Sequence, residues 1–280
     1  MEVIERVIDY HKGDVFSIYP LGDMHFGSIH AAESSIQKKV LEIAGQKHSL
    51  VIGMGDYTDS ILKNDPRFDI EGLAPWVIRG NIVESQRRKV RELFEPLKGQ
   101  LLGLLTGNHE EEIHIHYQDD ITRNLCNDLK VPYLGYTCFL VLNFRCRRSK
   151  LTQSGVTLYE ETNQIIIHAW HGAGSAQTEG ARLMRLMRLV NEVQAHIYLM
   201  GHLHAMTQHT PDRLIFSRGK IKSVKLAATI TGSWLTTYTQ PKSGQELGPS
   251  YGEKKGYLPS RIGCPVIHIH PDTEEFTIES

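Results

Sequence analysis

Leu50-Val51-Ile52-Gly53-Met54-Gly55-Asp56-Tyr57-Thr58-Asp59 decides the fold. An apolar run over residues 50–54 reads as a buried strand, and it ends on a carboxylate in a glycine turn. Four other stretches repeat the arrangement. Residues 15–21 run into Gly22-Asp23-Met24-His25, 101–105 into Gly107-Asn108-His109-Glu110, 165–167 into His168-Ala169-Trp170-His171-Gly172, and 197–200 into Gly201-His202-Leu203-His204. In an open α/β sheet the strand C-termini share one edge, so groups just past five strand ends converge on one crevice.

Outward from these strands the pattern alternates with amphipathic helices, which predicts an α/β fold with parallel βαβ units. Helices are expected over 31–44, 82–97, 117–129 and 178–193. Residues 64–80, with Asp65-Pro66, Gly72 and Pro75, read as a loop-rich insertion. From 133 to 147 the chain is rich in β-formers, and a polar turn at Gln153-Ser154-Gly155 precedes 156–159. Residues 214–234 and 265–278 read as hairpin strands of a second sheet. Between them, 239–263 is rich in glycine and proline, and loops of that length are functional or disordered.

The 280 residues are 40% hydrophobic, enough for a large core in one domain spanning 1–280. With 31 basic against 32 acidic residues the formal charge is -1, so no global field draws the chain to nucleic acid or an anionic membrane. Cys126, Cys138, Cys146 and Cys264 show no CxxC spacing and read as reduced, buried thiols. Residues 1–12 are charged, and no apolar run approaches the roughly 18 residues of a membrane span, so the expectation is a soluble, cytoplasmic chain without membrane contact.

The residues past the strand ends form a ligand set of oxygen and nitrogen without sulfur. Asp23 and His25 lie where the chain has left strict strand alternation, so both can turn toward one ion. A carboxylate has roughly four lone-pair sites, which suits Asp56 to hold two cations at once. Asn108 offers a carbonyl oxygen, and His171, His202 and His204 offer imidazole nitrogens. This set suits Mn, Fe, Zn, Co or Ni better than thiolate zinc, with manganese the working expectation for two divalent ions. Two such ions about 3.5–4 Å apart share a hydroxide at neutral pH and clamp phosphate oxygens during in-line displacement. They outweigh the charges of Asp23 and Asp56, so the site is locally cationic and selects a phosphoester.

In these motifs the sequence resembles the calcineurin-like metallophosphoesterase family, whose pattern is D-x-H, GD-x-x-D, GNH-D/E, a histidine often followed by glycine, and GH-x-H, in this order. The resemblance implies two mixed β-sheets in a sandwich flanked by α-helices, in four layers. It implies that Asp23, His25, Asp56 and His204 hold one metal and Asp56, Asn108, His171 and His202 the other. His109 is then the acid that assists the leaving group. In the fourth motif His168 competes with His171; Gly172 and the position of His168 within the apolar run favour His171.

Other residues carry weaker signals. Asp23, Asp56 and Asn108 have helix capping as their alternative role, and Asp59 is expected to support its loop rather than touch metal. His114 and His116 alternate with Ile113 and Ile115, as His268 and His270 do with Ile267 and Ile269, which reads as the polar face of a strand. Glu110 is expected to orient its neighbours. Arg182, Arg185 and Arg188 recur every three residues along one helix face, either as a phosphate-gripping rail or, the favoured reading, as a solvated face with stems over the core. Residues 251–257 are a candidate flap over the crevice.

These readings predict a hydrolase in which a metal-bridging hydroxide attacks a phosphodiester or phosphomonoester. A DNA or RNA nuclease is the second reading; the near-zero net charge and the lack of a basic stripe beyond one helix and Lys220, Lys222 and Lys225 count against it. A non-catalytic scaffold is the third, and scaffolds of this type lose ligands whereas this chain has all seven.

Overall fold

A computed structural model describes residues 1–152, 155–217, 219–238 and 249–280. In chain order the elements are β1 (Glu2–Asp9), β2 (Phe16–Leu21), α1 (Glu33–Ala44), β3 (Ser49–Gly53), α2 (Ile82–Phe94), β4 (Leu101–Leu104), α3 (Asn108–Tyr117) and α4 (Ile121–Leu129). There follow β5 (Thr137–Thr152), β6 (Gly155–Trp170), α5 (Glu179–Glu192), β7 (Ile197–Met200), β8 (Met206–His209), β9 (Asp212–Ser217), β10 (Lys220–Lys225), β11 (Ala227–Thr231), α6 (Tyr251–Lys254), β12 (Val266–His270) and β13 (Glu275–Glu279).

The five motif strands do not share one sheet. A five-stranded sheet runs β13-β12-β2-β3-β4, and a six-stranded sheet runs β1-β5-β6-β7-β11-β8. The parallel trio β2, β3 and β4 therefore carries the first three motifs, and the parallel neighbours β6 and β7 carry the other two. The strands over 214–234 and 265–278 are likewise divided rather than forming a separate second sheet. β12 and β13 extend the five-stranded sheet through β2, β11 inserts beside β7, and β9 pairs with β10 as a two-stranded ribbon.

Periodicity explains the layering. The alternate residues Phe16, Ile18, Ile52 and Met54 of one sheet meet Leu140, Leu142, Phe144, Ile165, Ile167 and Leu199 of the other in one buried cluster between the sheets. The opposite face of the five-stranded sheet, through Tyr19, Leu21, Val51 and Leu104, packs on Ile36, Val40 and Ile43 of α1, Val90 and Phe94 of α2, and Ile121, Leu125 and Leu129 of α4. The outer face of the six-stranded sheet meets Leu186, Leu189 and Val190 of α5 through Tyr198, Met200, Ala228 and Ile230. Helix, sheet, sheet and helix make the four-layer α/β sandwich expected.

Three expectations are corrected. The helix expected over 117–129 is α4, which starts only at Ile121, and a separate unexpected helix, α3, precedes it and ends at left-handed Gln118. His114 and His116 therefore lie on a helix, not a strand: Ile113 is buried while Ile115 is exposed, a helical rather than alternating pattern. His268 and His270 do lie on a strand, β12, with Ile267 and Ile269 buried between them. The segment 165–167 lies within the 16-residue strand β6, which runs on through His168 to Trp170. Gln153 and Ser154, and residues 239–248 of the segment 239–263, lie outside the described residues. The described part of that segment contains α6.

All four cysteines are free; Cys126, Cys138 and Cys146 are buried and Cys264 partly so. Among the described residues no helix is long and apolar enough to cross a membrane.

Candidate metal centre

Where β2, β3 and β7 end, the chain turns through conformations that side chains rarely adopt. Asp23 (φ 48°), His25 (48°), Asp56 (51°), His202 (68°) and His204 (48°) all occupy the left-handed region. Each such residue costs on the order of 1 kcal/mol and persists only where its surroundings over-determine it. Here they do. Asp23 N–H donates to Gly55 O at 2.9 Å, Met24 and His25 N–H donate to Asp56 O at 2.8 and 3.1 Å, and Trp234 N–H donates to Asp23 O at 3.0 Å.

The carboxylate of Glu110, fully buried at the start of α3, locks this region. Its Oε1 accepts from the N–H of Tyr57 (2.7 Å) and Thr58 (3.0 Å), and its Oε2 from the N–H of Asp56 (2.9 Å) and Gly107 (3.0 Å). Glu110 thus fastens the Asp56 turn to the helix that bears Asn108 and His109, the orienting role expected of it. Gly107 is required by close approach: a Cβ there would stand 2.2 Å from both the backbone nitrogen and Oδ1 of Asp56.

Seven side chains converge. Ligand atoms of Asp23, His25, Asp56 and His204 lie within 4.8 Å of one another, as do those of Asp56, His171 and His202, so Asp56 belongs to both groups. Asn108 joins the second, its Oδ1 being 3.1 Å from His171 Nε2 and 2.8 Å from His202 Nδ1. His25 Nε2 and His204 Nε2 face each other at 3.1 Å, and His204 Nε2 is 3.3 Å from Asp23 Oδ1. None of Asp23, Asp56 or Asn108 is the cap residue of the helix that follows its strand: α1 and α2 begin elsewhere, and Asn108 follows the cap position of α3, whose first turn donates the His109 N–H to Asp56.

The outer ring atoms are tied to carbonyls. His171 Nδ1 donates to Met54 O at 2.7 Å and His202 Nε2 to Gly174 O at 2.9 Å, which leaves His171 Nε2 and His202 Nδ1 to point at Asn108 and Asp56. Burial opposes a charge on His171, yet the Asp56 and Asp23 carboxylates raise its pKa to about 10. Burial would raise the Asp56 pKa, but His171, His109 and His25 hold it well below the usual carboxylate range. The pocket thus calls for positive charge between its carboxylates, and a donor set of carboxylate, amide oxygen and imidazole fits divalent cations that would displace the His171 proton.

His168 is not in either group. Buried on β6, it bonds Thr137 Oγ1 at 3.1 Å and packs on Phe139, and burial lowers its pKa to about 4. His109 is buried beside His25, their rings 4.7 Å apart, with its N–H donating to Asp56 Oδ1 at 3.0 Å and its Nδ1 bonded to the carbonyl of Asp59. Burial works against a charged His109 ring, but Asp56 and Asp59 outweigh it and raise its pKa. Asp59 supports this loop through its carbonyl, while its carboxylate lies 3.7 Å from His25 Nδ1 and joins His25 and His109 in a third group of close donor atoms.

The carbonyls of Met54 and Gly174, like Tyr136, whose ring stands edge-on to His171 at 5.3 Å, escaped the sequence reading. Backbone acceptors leave no residue-type signal. The arginine stripe divides: Arg185 donates to the carbonyls of Ala173 (2.6 Å) and Ser175 (3.2 Å), Arg182 donates Nε to that of Ala176 (3.0 Å) and lines the cavity, and Arg188 is exposed.

The chain matches the calcineurin-like phosphoesterase family over residues 16–206, a span that holds all five motifs. No curated protein matches it. Among solved structures it is similar to a conserved uncharacterized protein of Streptococcus pneumoniae TIGR4, described as a predicted phosphoesterase, at 14% identity and a TM-score of 0.33, covering 91% of this chain and 84% of that one. The family match covers well over half of the chain and coincides with a buried Asp/His cluster compatible with a metal site: the protein is a member of the calcineurin-like phosphoesterase family.

Proposed function

We propose that the protein is a dinuclear metal-dependent phosphoester hydrolase, with residues 1–280 as one catalytic domain. The observation that carries this reading is Asp56, buried at the junction of two donor groups and belonging to both. Asp23, His25 and His204 would complete one site and Asn108, His171 and His202 the other, with manganese the working choice of ion. When bound, two divalent ions supply a hydroxide nucleophile at neutral pH and Lewis acidity toward the phosphoryl oxygens.

The chain's own groups do the rest. Glu110 and the left-handed turns hold the donors in place without substrate. His109 bonds the Asp59 carbonyl through Nδ1; a carbonyl only accepts, so Nδ1 bears a hydrogen, which leaves Nε2 as the ring nitrogen for chemistry in the cavity that His109 lines. Asp56 and Asp59 raise its pKa despite burial, which favours the protonated ring, and that ring can donate its proton from Nε2 to the departing oxygen.

Purified protein should bind two transition-metal ions per chain and hydrolyse an aryl phosphodiester only when they are present. Elemental analysis beside a chelation assay measures both, and activity that survived complete metal removal would sink the mechanism. His109→Gln should keep both ions and lose about 10²–10⁴-fold in rate on an ester with an alkoxide leaving group, and much less on a nitrophenyl ester. Equal losses on both esters would make His109 structural.

A further inference from the structure

The cluster opens into a cavity of about 990 Å³ whose walls carry cations that a single phosphate does not need. One wall is the loop 173–178 and the start of α5. Arg185 clamps its carbonyls and Gly174 O reaches His202, so this loop is fastened directly to the cluster. Arg182, half-buried, donates Nε to Ala176 O at 3.0 Å. That bond fixes the guanidinium plane while its two terminal nitrogens have no partner among the described residues. The other wall is α6 and the residues after it, where exposed Lys254 lines the same cavity and makes no ion pair with a described residue.

Asp59 and Asp69, acids of the cavity wall, make no ion pair with Arg182 or Lys254 among the described residues. Asp69 accepts the N–H of Glu71 at 3.0 Å through one carboxylate oxygen, and Asp59 faces His25. Two divalent ions held at the cluster would outweigh Asp23 and Asp56, so a scissile phosphate would find its counter-charge there. Arg182 and Lys254 each lack an ionic partner among the described residues, in a protein whose formal charge is only -1. The volume stands at the upper end of the roughly 300–1,000 Å³ that accommodates drug-sized ligands.

We propose that the substrate is an organic phosphoester of nucleotide size that carries a second anionic group, gripped by Arg182 and Lys254 while the scissile phosphate lies at the Asp/His cluster. This rests on the phosphoesterase reading. A planar fork with both terminal nitrogens unspent binds two anionic oxygens side by side, whereas Lys254 adds an unoriented point charge.

Calorimetric titration of the metal-loaded protein with thymidine 3′,5′-bisphosphate and with thymidine 5′-monophosphate tests it, because the two differ only in the second phosphate. The bisphosphate should bind at least about tenfold more tightly, one such factor being about 1.4 kcal/mol. Arg182→Ala and Lys254→Ala should each cut that ratio severalfold, and Arg182→Lys should restore only part of it. Lys254, exposed on the surface, keeps the test valid if Arg182→Ala loosens the 173–178 loop. Equal affinities in the wild-type protein, or a ratio untouched by both alanine variants, would overturn the proposal. Turnover of the 4-nitrophenyl ester of thymidine 5′-phosphate separates the two ideas. Hydrolysis without the preference removes the subsite alone, and the preference without hydrolysis removes the phosphoesterase reading.

Discussion

At the scale of single residues, the carboxylate of Glu110 does more than its position after Asn108-His109 announces. Four backbone N–H groups from two segments end on its two oxygens, all of them buried. Glu110→Gln keeps the shape but turns an amide N–H₂ toward two of those donors, and a buried unsatisfied group costs about 1–3 kcal/mol. The variant should lose on the order of 3 kcal/mol of stability and, on the proposed reading, weaken metal binding at both sites together, since Asp56 belongs to both donor groups. Thermal unfolding and calorimetric metal titration measure the two effects; a variant with wild-type values for both would remove the anchoring role. Residue types picked out the seven side chains that converge because carboxylate, amide and imidazole have few other reasons to recur after strand ends. They were silent about the left-handed backbone of Asp23, His25, Asp56, His202 and His204, since those dihedral angles come from tertiary hydrogen bonds that no local pattern encodes.

At the scale of elements, strands and helices with long apolar periods were legible and short ambiguous runs were not. Ile113-His114-Ile115-His116 alternates over four residues, too few to separate a period of 2 from one of 3.6, and the helix prevails because Glu110 and Gly107 start it just upstream. His168 and His171 are likewise told apart by what their elements bring them to: β6 buries His168 against Thr137 and Phe139, while the turn beyond it delivers His171 to Met54 and Asn108. His168 has a pH consequence. Its pKa is lowered by burial to about 4 in the fold against 6.5 in the open chain, so between these values the unfolded state binds the extra proton. Its contribution to stability is complete above pH 6.5 and is lost as the pH falls toward 4, with a slope of at most about 1.4 kcal/mol per pH unit. His168→Gln, which keeps a partner for Thr137, should flatten the acid limb of stability measured by denaturant unfolding from pH 7 to 4. An unchanged limb would mean that the ring is charged or solvated in the fold.

At the scale of the whole molecule, the division of the motifs between two sheets was the least legible feature, because a strand's apolar run records that it is buried and not which neighbour it pairs with. The alternation of strand and helix implied parallel βαβ units, and these exist; it did not reveal that β12 and β13 would return to flank β2, or that β11 would enter beside β7.

That division also gives the ions a mechanical meaning. Asp23, His25, Asp56 and Asn108 hang from one slab and His171, His202 and His204 from the other, so any cation they share is a rivet through one rim of a layered body whose opposite rim has none. Stripping the metal should leave the interior laminate intact while that rim gapes. Hydrogen exchange would quicken at 22–26, 55–59 and 201–205 and stay slow in β5 and β12, and the melting temperature would fall with the mass-action term lost, about 2.7 kcal/mol at a hundredfold excess of ion over its dissociation constant. Uniformly faster exchange throughout both slabs would mean that the ions hold up the whole body and not its edge.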